Sequence, residues 1–136
     1  FVSGADVVIG SRYVKGGKTN DSKVSIIMSH ILNFVFRIIT GIKAKDISTD
    51  FRMYDTKQLK AVKLTCQNYD ILQEVLLKMK INNRKLVVKE TPIVFEKRLY
   101  GESKRQLFKF ILGYVKTLFM LIGVRINASF NKNRQK

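Results

Sequence analysis

Continuous apolar runs in the chain predict strands. Near the start, Asp6 is followed by an apolar run over residues 7–9 that ends in Gly10-Ser11-Arg12, which is typical of a buried parallel strand that leads into a loop. Residues 85–95 are rich in β-branched and aromatic side chains and predict a second extended region. Pro92 lies inside this region and indicates an edge strand or a strand start, because proline cannot donate to a sheet. A parallel strand needs neighbours, and few of them can come from this chain.

Apolar residues at helical spacing predict a long helix over residues 23–42. Asp21 or Ser22 is suited to cap its start, and Gly41 is suited to end it. The helix is mostly apolar and carries one narrow polar stripe. The residues of this stripe recur every four positions: Ser25, Ser29, Asn33 and Arg37.

The middle of the chain predicts shorter elements. Residues 46–54 indicate a polar turn that runs into a short extended segment, and residues 56–64 indicate a short helix. Apolar side chains at helical spacing predict another helix over residues 70–80, which the pair Asn82-Asn83 interrupts.

Residues 106–124 form the most hydrophobic stretch, but Lys109 and Lys116 interrupt it, whereas a membrane-spanning helix needs about 20 mostly uncharged residues. Two interpretations remain, an amphipathic helix at a membrane interface and a core helix with two snorkelling lysines. At helical spacing, Arg105, Lys109 and Lys116 form a basic stripe opposite Leu107, Ile111, Val115, Leu118 and Ile122. The polar tail 127–136 is expected to be frayed.

The composition adds a charge argument. The 136 residues include 26 Lys and Arg against 10 Asp and Glu, which gives a net charge of +16. Such a chain attracts a polyanion: nucleic acid, anionic lipid headgroups, or a phosphorylated or nucleotide substrate. Cys66 and His30 are the single cysteine and histidine, so a disulfide framework, a zinc cluster and a histidine-based catalytic triad are excluded within one chain.

Two segments carry residue types that bind phosphate. Ser11 and Arg12 follow the first strand, where open α/β sheets place their ligands, and an arginine can hold a phosphate through two parallel hydrogen bonds. Within seven residues, a second group combines a guanidinium, a glycine, a hydroxyl and an ammonium: Arg98, Gly101, Ser103 and Lys104. A surface arginine and a solvated turn are the alternative interpretations.

Two further segments carry carboxylates. Asp46, Asp50 and Arg52 lie close together in the sequence and could form either a functional cluster or an ion pair that stabilises a turn. Gln73 and Glu74 could present polar groups to a sugar hydroxyl, although a single glutamate on a helix is more often solvated.

Taken together in their order, these segments resemble the C-terminal half of family 2 glycosyltransferases of the dolichol-phosphate (polyprenol-phosphate) mannosyltransferase type. The resemblance covers residues 4–124. Its motifs are Ala5-Asp6-Val7-Val8-Ile9-Gly10-Ser11-Arg12-Tyr13, Ser29-x-x-x-Asn33, Asp46-x-x-Thr49-x-Phe51-Arg52-x-Tyr54, Gln73-Glu74, and Glu90-x-Pro92-Ile93-x-Phe95-x-x-Arg98-x-x-Gly101-Glu102-Ser103-Lys104.

The resemblance implies an α/β chain with a partial GT-A fold, that of nucleotide-diphospho-sugar transferases, which lacks its N-terminal half and carries amphipathic helices. It implies transfer of a sugar, expected to be mannose, from a nucleotide-sugar donor to a polyprenyl phosphate, with inversion at the anomeric carbon. Because the acceptor phosphate is already charged, such a reaction needs cations that hold two phosphates together more than it needs a general base.

The resemblance also implies roles for individual residues. Ser11 and Arg12 would contact the acceptor phosphate. A loop would close on phosphate groups through Arg98, Gly101, Ser103 and Lys104. The sugar and acceptor side would be lined or braced by Asp46, Arg52, Gln73 and Glu74. The residues expected to act in catalysis are Arg12, Asp46, Arg98 and Lys104.

One part of the family pattern has no match in this sequence. The Asp-x-Asp metal motif and the nucleotide-base pocket belong to the N-terminal half, so Mg²⁺ or Mn²⁺ is expected for the complete enzyme with ligands that are not in this chain. The fragment alone is therefore expected to be inactive. Asp50 stands where many members have glycine, which leaves the sugar unassigned.

The expected organisation has three parts: the C-terminal part of a GT-A domain over 1–104, an amphipathic membrane-interface helix over 105–126, and a basic tail over 127–136. We expect membrane association at the cytoplasmic face, on an anionic surface that supplies the lipid acceptor.

Three alternatives remain from the sequence. The first is a transferase for glucose or another sugar. The second is an inactive remnant or a split subunit, with a separate N-terminal half or a membrane subunit as its partner. The third, nucleic-acid binding, is disfavoured because the aromatic side chains lie in apolar helices and form no stacking platform: Phe34, Phe36, Phe108, Phe110 and Phe119.

Overall fold

The computed structural model of the chain describes residues 4–66, 71–96 and 107–133. Within these ranges the chain forms strands and helices in mixed order, which confirms the predicted α/β class. The elements are β1 (Val7–Ser11), β2 (Lys18–Thr19), α1 (Lys23–Thr40), β3 (Arg52–Tyr54), α2 (Thr56–Lys60), α3 (Ile71–Asn82), β4 (Val88–Pro92), β5 (Val94–Phe95) and α4 (Leu107–Asn133).

The main sheet has the order β3-β1-β4. Strand β1 is buried at all five positions, runs parallel to β4 and is antiparallel to β3. The register pairs Val7 with Val88 and Ser11 with Pro92. The predicted buried parallel strand is therefore confirmed, and so is the edge position of the strand that contains Pro92 within the described sheet. A second small sheet pairs β2 with β5 in parallel.

Helix α1 begins and ends as its sequence predicts. The Ser22 hydroxyl accepts a hydrogen bond from the backbone N–H of Ser25, and Gly41 ends the helix in a left-handed conformation with φ of 69°. Its N–H donates to the carbonyl of Arg37 at 2.9 Å. A left-handed residue at this position favours glycine, because it has no Cβ.

The two faces of α1 differ from those of an ordinary surface helix. Asn33, from the polar stripe, is buried, whereas five apolar residues are 53–62% exposed. At helical spacing these five lie within an arc of about 80°. We call them the outer apolar face of α1: Val24, Ile27, Ile31, Phe34 and Ile38. With 18 residues and a mean hydropathy of 1.4, α1 is long and apolar enough to cross a membrane, by length and composition alone.

Helices α2 and α3 follow the predicted positions with shifted ends. Asp55 caps α2 by accepting from the backbone N–H of Gln58, and the helix ends four residues earlier than predicted, at Lys60. Helix α3 runs two residues further than predicted, to Asn82. The largest fully buried apolar side chains of the core are Phe36, Ile9, Ile47, Leu76, Leu77, Met79 and Leu121.

Helix α4 continues to Asn133, so the structure differs from the expectation of a frayed segment that starts at residue 127. Arg125 offers a reason, because its guanidinium donates to the last carbonyls of α1, Ile38 at 2.5 Å and Ile39 at 2.7 Å. Leu121 is buried in the core, while a second group of apolar residues is 41–72% exposed. We call this group the outer apolar face of α4: Val115, Phe119, Ile122, Ile126 and Phe130.

Candidate functional site at the end of strand β1

The candidate site is built around Arg12, the first residue after β1. Three of its groups donate to one carboxylate, that of Asp46 in the loop between α1 and β3. The Nε–H lies 2.7 Å from Oδ2, Nη2 lies 2.9 Å from Oδ1, and the backbone N–H lies 3.0 Å from Oδ2. The Arg12 side chain is 9% exposed and that of Asp46 is fully buried. This is a bidentate, desolvated ion pair with an additional backbone hydrogen bond.

Several elements position Asp46. Glu90, on β4, accepts from the backbone N–H groups of Lys45 at 2.8 Å and Asp46 at 3.0 Å. The Ser48 hydroxyl donates to Asp46 Oδ1 at 3.0 Å, and the amide of Asn33, on α1, lies 3.4 Å from the same oxygen. Burial acts to raise the pKa of Asp46, but the hydrogen bonds from Arg12 and Ser48 outweigh it and lower this pKa below its ordinary value.

The other edge of the Arg12 guanidinium is held less firmly. Its Nη1 lies 3.4 Å from Oδ2 of Asp21, whose side chain is 28% exposed. Asp21 Oδ2 also accepts from the hydroxyl of Thr19 at 3.1 Å. The guanidinium carbon lies 5.0 Å from the ring centroid of Tyr13 and 5.7 Å from that of Phe95, both within cation–π range. Burial lowers the pKa of Arg12, but Asp46 outweighs this effect and raises it above its ordinary value.

An open apolar groove of about 670 Å³ lies at the same end of the sheet. It is lined by Asp50, Phe51, Ile93, Val94 and Phe95. Phe95, whose ring approaches Arg12, joins the groove to the ion pair. Gly10 sits beneath the groove, where a Cβ would lie 2.8 Å from Ile93 Cγ2 and 3.1 Å from Phe51 Cβ. The close approach of these two side chains therefore requires glycine.

Ser11 is part of the turn that carries Arg12. Its side chain is fully buried, and its hydroxyl accepts from the backbone N–H of Tyr13 at 3.3 Å. The Ser11 hydroxyl is therefore bonded inside the turn that carries Arg12.

Arg52 and Gln73 meet at a neighbouring loop. The Arg52 guanidinium donates to three backbone carbonyls, those of Thr49 at 2.8 Å, Leu72 at 2.6 Å and Ile47. The side-chain amide of Gln73, which is fully buried, lies 3.4 Å from the same Ile47 carbonyl. These two residues join the start of α3 to the loop that presents Asp46.

Glu74 lies apart from Arg12 and fixes the segment before α3. Its carboxylate accepts from the backbone N–H groups of Thr65 at 3.0 Å and Cys66 at 2.9 Å, and from the Thr65 hydroxyl at 2.5 Å. Lys78 forms an ion pair with it at 2.7 Å. Burial acts to raise the pKa of Glu74, but the hydrogen bonds from Lys78, Thr65 and Cys66 outweigh it and lower the pKa to about 2.

The structure thus brings together Ser11, Arg12 and Asp46, and places Arg52 and Gln73 on the adjoining loop. The residues of the predicted phosphate loop lie outside the described residues: Arg98, Gly101, Ser103 and Lys104. Asp21, Ser48 and Glu90 belong to the cluster, but the sequence did not assign them a role in the site. Glu90 could have been found from its place near the carboxyl end of a strand parallel to β1, since parallel strands present those ends at one edge.

The residues that the structure describes lack the set of ligands that a divalent cation needs, and they form no such site. No group of three or more histidine, cysteine, aspartate or glutamate residues there could hold a metal ion. The Asp46 carboxylate is committed to Arg12. The described residues therefore do not fit a metal centre.

The fold and the cluster define a class: an α/β protein with a buried charged cluster at the carboxyl end of a parallel strand, the position where open α/β sheets bind ligands. No family model matches the chain. Curated relatives do match. It is 33% identical over 128 residues to "Dolichol-phosphate mannosyltransferase" of Pyrococcus furiosus, across 88% of this chain and 34% of the relative.

Two further relatives carry names of the same kind. The chain is 32% identical over 104 residues to "Polyprenol monophosphomannose synthase" of Mycolicibacterium smegmatis, across 75% of this chain and 39% of the relative. It is 33% identical over 104 residues to "Undecaprenyl-phosphate mannosyltransferase" of Micrococcus luteus, across 74% of this chain and 42% of the relative. The resemblance predicted from the motifs is therefore confirmed. The chain spans between about a third and two fifths of these relatives' length.

Proposed function

We propose that this chain forms the acceptor side of a polyprenyl-phosphate mannosyltransferase. The observation that carries the proposal is the agreement of the three relatives, whose names all join mannose to a dolichol, polyprenol or undecaprenyl phosphate. We further propose a GT-A fold of family 2, in which the donor side comes from an N-terminal half, either on the same polypeptide or as a separate subunit.

The proposed reaction is an inverting substitution. An oxygen of the polyprenyl phosphate forms a bond to the anomeric carbon of mannose, the bond from that carbon to the nucleotide diphosphate breaks, and the nucleotide diphosphate leaves with the electron pair. The acceptor phosphate brings its own negative charge. The protein's task is therefore to hold two phosphate groups close together against their repulsion.

Arg12 is the residue on which we place the acceptor phosphate. Its Nη1 edge faces away from Asp46, whose bidentate hold fixes the plane of the guanidinium. The apolar groove that Phe51 and Phe95 line offers a path for the first isoprene units beside this edge. Ser11 acts through the turn that carries Arg12. The neighbouring loops are braced by Arg52, Gln73 and Glu74.

The remaining roles fall on residues beyond those the structure describes. We propose that Arg98, Ser103 and Lys104 bind the phosphate groups, together with Gly101 of the same motif. Mg²⁺ or Mn²⁺ would supply charge neutralisation at the donor diphosphate in the complete enzyme. Its ligands would come from the donor side.

The two outer apolar faces support attachment to a membrane, where the lipid acceptor resides. Each presents five exposed apolar side chains, and the chain carries a net charge of +16. Basic residues near an anionic surface contribute about 1 kcal/mol each. We propose that the chain binds the cytoplasmic face of a membrane through α1 and α4. Co-sedimentation with anionic vesicles at low salt tests this attachment, and failure to co-sediment would contradict it.

A chimera tests the proposed activity. The chain replaces the matching region of the Pyrococcus furiosus relative, and the product is supplied with vesicles that contain a polyprenyl phosphate and with labelled GDP-mannose or UDP-glucose. We expect label from GDP-mannose to enter the lipid phase with the chimera and not with the chain alone. A folded chimera that transfers no sugar contradicts the proposal, and transfer from UDP-glucose alone contradicts the choice of mannose.

Point variants of the chimera test the proposed phosphate loop. Arg98→Ala and Lys104→Ala are expected to lower turnover by a factor of about 10²–10³, the usual cost of removing a group that stabilises transition-state charge. Arg84→Ala is the matched control, because Arg84 is exposed and lies before the amino end of β4, away from the site. Equal turnover in the loop variants and the control would overturn the assignment.

A further inference from the structure

Two carboxylates share the Arg12 guanidinium, and they hold it unequally. Asp46 is fully buried and meets Nε and Nη2 at 2.7 Å and 2.9 Å. Asp21 meets Nη1 alone, at 3.4 Å, with a side chain that is 28% exposed. The first pair is bidentate and desolvated, whereas the second is a single long contact at the surface.

The hydrogen bonds that hold the two carboxylates in place also differ, and Asp46 is again the more firmly held. Asp46 is fixed by Glu90 through its backbone N–H and by the Ser48 hydroxyl. Asp21 lies in the short connection between β2 and α1, and Thr19 is its further hydrogen-bond donor among the described side chains. Exposed single-contact ion pairs contribute little free energy. Asp21 can therefore leave Arg12 at small cost and keep its Thr19 partner.

An arriving phosphate would compete for the same edge of Arg12. A phosphate monoester carries a charge near −2 at neutral pH and three strong acceptor oxygens, whereas Asp21 offers one carboxylate. Hydrogen bonds from arginine to such ionised acceptors are strong, and Nη1 supplies them here, because Nη2 donates to Asp46 at 2.9 Å and to the Ser48 hydroxyl at 3.0 Å. The phosphate therefore gains more from Nη1 than Asp21 does.

We propose that Asp21 is an internal counter-ion that occupies the phosphate edge of Arg12 and is displaced when the acceptor phosphate binds. Asp21 thereby sets the acceptor affinity and favours the doubly charged phosphate monoester over singly charged phosphodiester headgroups, which displace it less well. This inference rests on the proposed function, since it takes Arg12 as the site of the acceptor phosphate.

Vesicle binding by the full chain tests the inference without requiring turnover. The probe is a polyprenyl phosphate in neutral phosphatidylcholine vesicles, and binding is measured by co-sedimentation. Asp21→Asn keeps the shape of the side chain and removes its charge, and we expect about two- to fivefold tighter binding, the factor that corresponds to a weak exposed ion pair. Asp55→Asn is the matched control, because it makes the same charge change at the start of α2, near the amino end of β1, and asparagine also caps helices.

A second vesicle composition separates displacement from general charge effects. In phosphatidylglycerol vesicles of matched surface charge, Asp21→Asn is expected to bind no more tightly than Asp55→Asn. An equal gain for both variants, or an equal gain on both lipids, would overturn the role of Asp21. If soluble GDP-mannose binds the chain through Arg12 and polyprenyl phosphate does not bind, the edge belongs to the donor and the role of Asp21 is overturned as well.

A double variant distinguishes this inference from the proposed function beneath it. Arg12→Gln combined with Asp46→Asn removes both charges of the buried pair, so no uncompensated ion remains. In this background the gain from Asp21→Asn should disappear. If the original chain binds polyprenyl phosphate through Arg12 but Asp21→Asn adds nothing, Asp21 alone is misassigned. If no variant shows binding that depends on Arg12, the acceptor role and this inference both fail.

Discussion

Two arginines show how differently one side chain is used in two regions of this molecule. Arg12, at the end of β1, has a buried carboxylate on one edge and a weakly held carboxylate on the other. Arg52, beside the start of α3, donates the hydrogen bonds of its guanidinium to the carbonyls of Ile47, Thr49 and Leu72. The first region retains an edge that an anion could take. In the second region, the guanidinium joins the start of α3 to the loop before β3.

The carboxylates of the two regions repeat this contrast. Asp46 serves one guanidinium and thereby fixes the orientation of a group that can still bind a ligand. Glu74 is saturated by Thr65, Cys66 and Lys78 and fixes a segment of backbone. Residues of similar chemistry thus divide into an orienting set at the strand end and a loop-anchoring set at α3. Mutations in the first set should therefore change both stability and phosphate binding, whereas mutations in the second set should change stability alone.

The largest effect on stability is expected from Arg12→Ala. It leaves the Asp46 carboxylate buried without its cation, and breaking a buried pair from one side costs about 3–5 kcal/mol. Urea unfolding of the full chain measures this cost. The double variant Arg12→Gln and Asp46→Asn should lose much less, because neither charge remains. Equal losses in the two proteins would show that the pair is not desolvated as described.

Glu74 should produce the next effect, as a dependence of stability on pH. Its pKa falls from an ordinary 4.5 to about 2 in the folded chain. The lowered folded-state pKa means that its contribution is fully present above pH 4.5 and is lost as the pH falls toward 2. The shift corresponds to about 3 kcal/mol.

Glu74→Gln provides the comparison for that pH dependence. Urea midpoints are measured between pH 6 and pH 2.5. They should fall less steeply with decreasing pH for the variant than for the original chain, because glutamine does not titrate and the proton uptake of Glu74 on unfolding is removed. Asp50→Asn is the control, since Asp50 is an exposed carboxylate. Parallel pH profiles for all three proteins would contradict the assignment of Glu74 as a loop anchor.

Local elements of this fold could be predicted from the sequence, whereas long-range pairings could not. The buried run of β1 and the Ser22 and Gly41 ends of α1 depend on neighbouring residues. The bond from Arg12 to Asp46 joins residues 34 apart, and the bond from Asp46 to Glu90 joins residues 44 apart. Such pairings depend on the sheet order and on loop paths, which the hydrophobic pattern does not specify.

The details that the sequence left open or predicted differently have physical causes as well. Asp21 and Ser22 are equally suitable helix caps by residue type, and the structure uses Ser22, which leaves the Asp21 carboxylate free to approach Arg12. The polar tail after residue 126 is helical because α4 is held against the end of α1 by Arg125, a contact across 86 residues. Neither outcome follows from local propensity.

The smallest of the three effects should come from Arg52→Met, which tests the other half of the comparison. The change removes the Arg52 donor from the carbonyls of Ile47, Thr49 and Leu72 but leaves no unpaired charge, so we expect a loss of about 2 kcal/mol in the free energy of unfolding. Arg52→Lys should recover little of it, because an ammonium cannot reach three carbonyls in the geometry of a guanidinium. Arg84→Met is the surface control. Full recovery by lysine would mean that charge, and not the bonding geometry of the guanidinium, joins α3 to this loop.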